Sequence, residues 1–416
     1  MIPLNVRIGF FLALRALRRA SLWTTGLIIF VMVLTFLNLV VISGILVGLL
    51  QGAVDDRRVQ YTSDVFISRL DDKKYIENSP NLVALVASLP EVEAVSPRVT
   101  EGGTLEANYK TRKDSDKPNT AVAQIMGINP RSENAVSGLS RYIIGGTFLE
   151  PDDYDKVLIG SFLLKEYVPV EAPGLYALKN VKPGSQIRVS LAGVTHEVTV
   201  KGILKTKVQD VSRNLYMLDT QLRGIVGRSD GNVMQVAVKL KDGADPVAVR
   251  DTLIRSGADK DAKVQTFEDA QPQAFKDIIN TFGMLGTVFS SIGLIVASVT
   301  IFIVIFVNAL TRRKFIGILK GIGVSGRAIE ISYVFQSIFY AVVGSSLGLA
   351  FVYGFLVPHF AAHPINFPFS DGILVAPVQQ TFLRVGLLVV STVIAGYLLA
   401  WMIIRKNTLD SILGRN

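Results

Sequence analysis

The sequence contains no cysteine. Disulfide staples, thiolate metal sites, iron–sulfur clusters and cysteine nucleophiles are therefore excluded. Its three histidines leave little material for a histidine-built zinc site. Charge is scarce: 19% of 416 residues are Asp, Glu, Lys or Arg, against about 25% in an ordinary soluble domain. No G-x-x-x-x-G-K-[ST] loop occurs, so the chain cannot cradle ATP by that route. No G-x-S-x-G elbow accompanies its Ser, His and Asp residues, and no catalytic constellation is read. What is plentiful is apolar, at 50% of the chain, which rules out disorder over most of its length.

The apolar residues gather in four uncharged runs, 20–54, 278–311, 331–370 and 385–404. A helix needs about 20 such residues to cross a bilayer core. None of the runs alternates as a barrel strand would. The pattern predicts an α-helical membrane protein with four transmembrane helices at 22–53, 278–311, 331–357 and 382–404. The first run has a basic flank like a secretory signal, but its apolar stretch is about twice the usual length and no clear cleavage site follows.

Charge sets the orientation. Outside residues 51–279 stand 13 of the 43 Lys and Arg, but only Glu330, Asp371 and Asp410 among the acids. Residues 51–279 hold the other 30 bases and 31 acids. The bases cluster before the first run, between the second and third, and after the fourth. The positive-inside rule puts both termini and residues 312–330 in the cytoplasm, with 54–277 and the 358–381 loop outside. The basic excess thus reads as topology and contact with anionic lipid, and no nucleic-acid partner is expected.

The external part, 54–277, reads as α+β. Strand-like alternation at 64–69 and 92–99 flanks helical spacing at 80–89; alternation at 233–240 and 263–267 flanks a helix opening at Asp245-Pro246. Two such β-α-β units predict a ferredoxin-like pair, 54–127 with 231–277. A β-rich insertion, 128–230, separates them, with a hairpin pattern turning at Ala192-Gly193. Residues 110–119 read as a mobile loop, and 167–178 as an apolar loop packed locally or against a partner.

Smaller features carry less. His359 and His363 are bracketed by Pro358 and Pro364, with no carboxylate nearer than Asp371, so no metal site is expected. Asn38, Asn308 and Gln336 lie within the apolar runs and read as hydrogen-bonding groups between helices. Gly344-x-x-x-Gly348 reads as a close-packing site in the membrane. Residues 6–19 are amphipathic and form, within 1–21, a cytoplasmic opening helix on the membrane surface.

The stretch Arg312-Arg313-Lys314-Phe315-Ile316-Gly317-Ile318-Leu319-Lys320-Gly321-Ile322-Gly323-Val324-Ser325 resembles the signature of FtsX-like, MacB-type ABC transporter permeases, in which basic residues precede EIGILKALGAS. Ala13–Arg19, Gly145-Gly146-Thr147-Phe148, Val157–Gly160, Lys182-Pro183-Gly184-Ser185 and the tail 405–416, with Asn407–Leu413, resemble further family segments in order. Phe315 stands where the family usually has Glu, and Ser411 where the tail has Pro. By its residues alone, 312–325 is an amphipathic helix that either seats in a partner's groove or lies on lipid.

The resemblance implies that this element is the coupling helix of a permease subunit without a fused ATPase domain. Arg312, Arg313, Phe315, Ile316, Gly317, Ile318, Leu319, Lys320 and Gly323 would then meet a separate cytoplasmic ATPase. The chain itself would not be an enzyme: it would bind no cofactor directly, and ATP and Mg²⁺ would act through the partner. It further implies mechanotransmission in a cell membrane, a homodimer or paired related permease, an extracytoplasmic adaptor, and a cargo of lipoprotein, peptide or small molecule. The alternative within the resemblance is a non-transporting signal transmitter that drives an external cell-wall hydrolase.

Overall fold

The computed structural model describes residues 3–113, 117–168, 176–311, 313–367, 370–372 and 374–404. Parts of the two loops at 110–119 and 167–178, Arg312 and the tail 405–416 lie outside the described residues. The helices are α1 Leu4–Arg18, α2 Leu22–Arg57, α3 Ser79–Ala87, α4 Pro130–Ser137, α5 Gln209–Ser212, α6 Asp219–Ile225, α7 Pro246–Arg255, α8 Gln273–Thr311, α9 Arg313–Gly321, α10 Gly326–Phe351, α11 Val357–Ala362 and α12 Val378–Ile404. The main strands are β1 Val65–Arg69, β2 Val92–Ala107, β3 Asn119–Ile128, β4 Ile143–Gly146, β5 Lys156–Gly160, β6 Gln186–Leu191, β7 Val194–Leu204, β8 Asn214–Leu218, β9 Gln235–Leu240 and β10 Ala262–Thr266. Two compact units result: Met1–Leu50 with Asp277–Asn366 and Asp371–Asn416, and Gln51–Lys276 with Phe367–Ser370.

Among the described residues, four helices are long and apolar enough to cross a membrane: Leu22–Thr62, Gln273–Thr300, Gly326–Ala362 and Val378–Met402. Each outruns its expected bounds at one end or both. A charged residue ends an apolar run, but it does not end a helix. Asp55, Asp56 and Arg57 simply continue α2, and α10 starts at its capping residue, Ser325, whose hydroxyl accepts from the Ala328 N–H.

One face of α2 repeats at helical spacing, with Ile28, Met32, Phe36 and Val40 buried among Tyr333, Tyr340, Ala341 and Leu388. Gly344 and Gly348 of α10 sit against Met32 and Phe36, where a Cβ at either position would collide with those side chains. α1 lies along α10 through the small buried residues Gly9 and Ala13. Buried hydroxyls turn back onto their own helices: Thr35, Ser337 and Thr392 donate to the carbonyls of Val31, Tyr333 and Leu388 at 2.9, 3.0 and 2.6 Å.

In the second unit all ten strands form one sheet. The segments 64–100 and 233–267 share it: the order β10-β1-β9-β2 is antiparallel throughout, α3 leads from β1 to β2, and α7 leads from β9 to β10. The remaining strands close on themselves. β2 pairs β3, β3 pairs β8, β8 pairs β5, β5 pairs β7, β7 pairs β6, and β6 pairs β2 again, which is a six-stranded ring with β4 added on β7.

β2 serves both parts. Its residues 92–98 face β9, 98–107 face β3 and 104–107 face β6. Gly103 sits where β3 and β6 both crowd β2; a Cβ there would press on the Ile125 side chain and the Ser190 carbonyl. The β-rich part therefore does not begin at residue 128. It takes in β3 and half of β2, because a closed ring needs partners that the local pattern at 100–107 does not announce. Alternation fills the ring: Ala121, Ala123 and Ile125 are buried, while Val122 between them is 73% exposed. The β6–β7 turn uses Ala192 and Gly193 at φ 49° and 78°, the left-handed pair of a two-residue hairpin.

On the other face of the sheet lies a buried ion pair. Arg98 and Glu133, each 1% exposed, meet in a two-pronged contact: Nε to Oε2 and Nη2 to Oε1, both 2.7 Å. The hydroxyls of Ser96 and Ser137 donate to the same carboxylate at 2.8 Å, and Arg98 Nη1 donates to the Tyr61 carbonyl at 2.7 Å. Burial pushes the Glu133 carboxyl up. The adjacent Arg98 charge and the four donated bonds outweigh it and hold the group below the usual carboxylate range.

Glu133→Ala would strand a buried guanidinium, at a cost of about 3–5 kcal/mol. The thermal unfolding midpoint of the purified protein should fall sharply. In the parent, this contribution is complete above the unfolded carboxylate's pKa of about 4.3 and disappears as pH drops through the lower folded value. Glu133→Ala should therefore be the less stable protein at pH 7 and converge on the parent in acid.

Candidate functional site

The sequence Arg313–Gly321 folds as a nine-residue helix, α9, with a sharp stop. Gly323, at φ 93°, ends it. The Val324 N–H reaches the Leu319 carbonyl and the Gly323 N–H the Lys320 carbonyl, both at 3.0 Å, which is the paired-bond stop that favours glycine at the left-handed position. Val324 and Leu319, the apolar residues across that stop, both pack on the bundle core. The next residue, Ser325, caps α10 and donates from Oγ to Asn5 Oδ1 of α1 at 2.9 Å. α9, the turn, α10 and α1 are thus joined by short, directed bonds.

The structure divides the expected site residues by face. Ile316 and Gly317 are buried, and Ile316 belongs to the cluster of Ile329 and Tyr333. Leu319 and Lys320 are half-buried. Phe315 and Ile318 point outward at 53% and 55% exposure, and Ile322 at 72% continues their stripe at helical spacing. The apolar contacts open to another molecule are therefore Phe315, Ile318 and Ile322, while Ile316 and Leu319 anchor the helix. Arg312 lies outside the described residues, and of Arg313 only the backbone is described. Beside Phe315, Leu12, Arg15, Ala16 and Arg19 line a cleft of about 230 Å³, so α1 contributes exposed arginines next to the stripe. Gly344 and Gly348 are remote from it, at the α2–α10 contact.

Sequence reasoning counted Ile322 among the apolar residues at helical spacing without placing it in the site, and it missed Asn5 as well as a second feature in the other unit. Arg57, in the last turn of α2, is buried. Its Nε donates to Asp210 at 2.7 Å, and Nη1 donates to the Ala270 carbonyl and to Gln271 Oε1 at 3.3 and 3.2 Å. It ties the end of α2 to α5 and to the chain just before α8. The run Asp55-Asp56-Arg57-Arg58 carries no spacing pattern that would single Arg57 out.

Residues 25–256 match the MacB-like periplasmic core domain family, and residues 287–408 match the FtsX-like permease C-terminal family. The chain belongs to the FtsX/MacB-type ABC transporter permeases. It is 29% identical over 245 residues to the macrolide export ATP-binding/permease protein MacB of Bdellovibrio bacteriovorus, covering 56% of this chain and 36% of that protein. It is 27% identical over 250 residues to an uncharacterized ABC transporter permease of Methanocaldococcus jannaschii, covering 57% and 59%. The alignments thus span less than two thirds of either relative. Among solved structures, the periplasmic region of MacB from Actinobacillus actinomycetemcomitans aligns at TM-score 0.37 and 16% identity, over 55% of this chain and 97% of that one. A permease domain from Porphyromonas gingivalis aligns at TM-score 0.32 and 15% identity, over 50% and 92%.

Gly323→Ala would force a Cβ into the left-handed region and cost about 1–2 kcal/mol at the α9 stop. Amide hydrogen exchange across 313–324 in the purified permease should speed up by about tenfold, with little change in the ten-stranded sheet.

Proposed function

We propose that this chain is a permease subunit that passes the ATP-driven motion of a separate cytoplasmic ATPase to its large outer domain. The observation that carries the reading is the stripe Phe315, Ile318 and Ile322, exposed on a basic helix that is itself rigidly held. An apolar stripe of one helix fits a groove in a partner. ATP and Mg²⁺ would be bound by that partner, and the chain needs no cofactor of its own for this role.

Both termini and α9 face the cytoplasm in this reading, as the basic clusters favour. The ten-stranded domain, with its order β10-β1-β9-β2 read as a ferredoxin-like pair, faces outward from a cell membrane. Closure of the ATPases pulls α9. The Gly323 stop and the Ser325–Asn5 bond make α10 and α1 follow, and Gly344 and Gly348 engage Met32 and Phe36 so that α2 moves with α10. Arg57 then delivers the motion of α2 to α5 and to the chain just before α8. Such a device needs two states that the ATPase contacts unequally. Two copies, or this chain with a related one, would present two coupling helices to an ATPase pair. The work would be export or extraction of a lipoprotein, peptide or small molecule, with an extracytoplasmic adaptor where an outer membrane must be crossed. The name of the Bdellovibrio relative, a macrolide exporter, is consistent with the small-molecule case.

Ile318→Asp should place a carboxylate in a desolvated groove, at a cost on the order of several kcal/mol. ATPase co-purification and membrane-stimulated ATP hydrolysis should both collapse, while insertion of the permease is unchanged. Lys320→Ala should cost no more than about 1 kcal/mol. Full binding and stimulation with Ile318→Asp would reduce α9 to a lipid-surface helix. For orientation, reporter fusions at Asp230 should read outside and at Gly326 inside; a cytoplasmic Asp230 would overturn the topology.

A further inference from the structure

Arg384 stands apart from the other bases of the membrane-spanning unit. The remaining twelve outside 51–279 flank the spans on the side read as cytoplasmic, whereas Arg384 lies near the start of α12, at the opposite end of the bundle. Its guanidinium turns inward to α2, where Nη2 donates to Ser43 Oγ at 2.5 Å. Nη1 is buried and has no hydrogen-bond partner among the described residues. Ser43 Oγ accepts from Arg384, and among the described bonds its own O–H is unspent. Gly286 of α8 faces the same hydroxyl; a Cβ built there would lie 3.6 Å from Oγ, so α8 approaches without a side chain in the way.

The surroundings are built rather than open to lipid on all sides. The Val375 N–H donates to the Gly44 carbonyl at 3.2 Å, Leu374 is buried, and the Tyr353 hydroxyl donates to the Ala376 carbonyl at 2.9 Å. A segment of chain is thus fixed over α2 next to Ser43. A half-buried guanidinium with a dry, unbonded nitrogen is unfavourable unless an acceptor completes it. Among the described residues no carboxylate pairs with Arg384, and Glu330 lies in the first turns of α10, at the other end of the bundle. The unspent donors on Arg384 and Ser43 suit an oxyanion, which a guanidinium binds through charge-assisted bonds. Arg384 stands six residues, about 9 Å, into α12. At that depth the oxyanion within reach of an arginine is a lipid phosphate.

We propose that Arg384 and Ser43 form a binding site for the phosphate of an anionic membrane lipid at the outer end of the helix bundle. The site is separate from the coupling helix, and its occupancy can be read without any ATPase. Failure of this proposal is therefore distinct from failure of the coupling reading.

The test is native mass spectrometry of the full chain in neutral detergent, incubated with phosphatidylglycerol, with diacylglycerol of the same acyl chains, or with phosphatidylglycerol plus inorganic phosphate. A single phosphatidylglycerol should be retained about tenfold better than diacylglycerol, and inorganic phosphate should not displace it. Arg384→Gln should lower retention about tenfold, and Ser43→Ala, which keeps the charge and the helix, about threefold. Arg384→Lys should fall between parent and Arg384→Gln, because an ammonium keeps the charge but loses the fork. Equal retention by parent and Arg384→Gln, or equal retention of phosphatidylglycerol and diacylglycerol, would overturn the site. Displacement by inorganic phosphate would overturn the lipid as its occupant.

Discussion

Arg98 binds three stretches of chain that are far apart in sequence. It sits on β2 where that strand passes from its β9 partner to its β3 partner. Its guanidinium holds Glu133 of α4 and the carbonyl of Tyr61, in the π-helical turn Arg58–Thr62 that follows α2. Two charges taken out of water are favourable only when geometry and further hydrogen bonds satisfy them, as Ser96 and Ser137 do here. An apolar pair of similar volume could fill the same space with equal stability. It could not fix the direction of the turn after α2, because that depends on a carbonyl meeting a donor.

The membrane-spanning unit is held differently. Glycines at the α2–α10 and α1–α10 contacts let backbones approach, and the buried hydroxyls spend their bonds on their own helices. Close packing of this kind is stiff against bending but carries few directed bonds between helices. The directed bonds described in this unit lie at the α9–α10 turn with Asn5 and where Arg384 meets Ser43, Val375 meets Gly44 and Tyr353 meets Ala376.

Much of this was legible in the sequence, for identifiable reasons. The four spans follow from run length, although their ends do not, since Asp55 and Glu330 end apolar runs within continuing helices. β1, α3, β9 and α7 follow from local periodicity, and Asp245 with Pro246 marks the start of α7. The ring does not, because Glu101, Gly102 and Gly103 break the alternation of β2 and its β6 partner lies far along the chain. In the 313–325 element, spacing identified the apolar residues but could not say that Ile316 faces inward and Ile322 outward. Nothing in the local pattern marks Arg98, Glu133 or Arg57, because a long-range ion pair is not announced by neighbours in sequence.

The closing of the ring also sets an order of events during synthesis. Leu105 must meet Val189, about 80 residues later, and β1 lies between β9 and β10, the last strands to be made. The ring cannot be completed until residue 218 has left the ribosome, and the β10-β1-β9-β2 part not until residue 266, just before α8. The nascent outer domain must therefore wait as an open chain of more than 150 residues, with its hydrophobic strands uncovered. Such a chain is a natural client for holding chaperones. Its vulnerability lies in the interval before the ring shuts rather than in the finished protein.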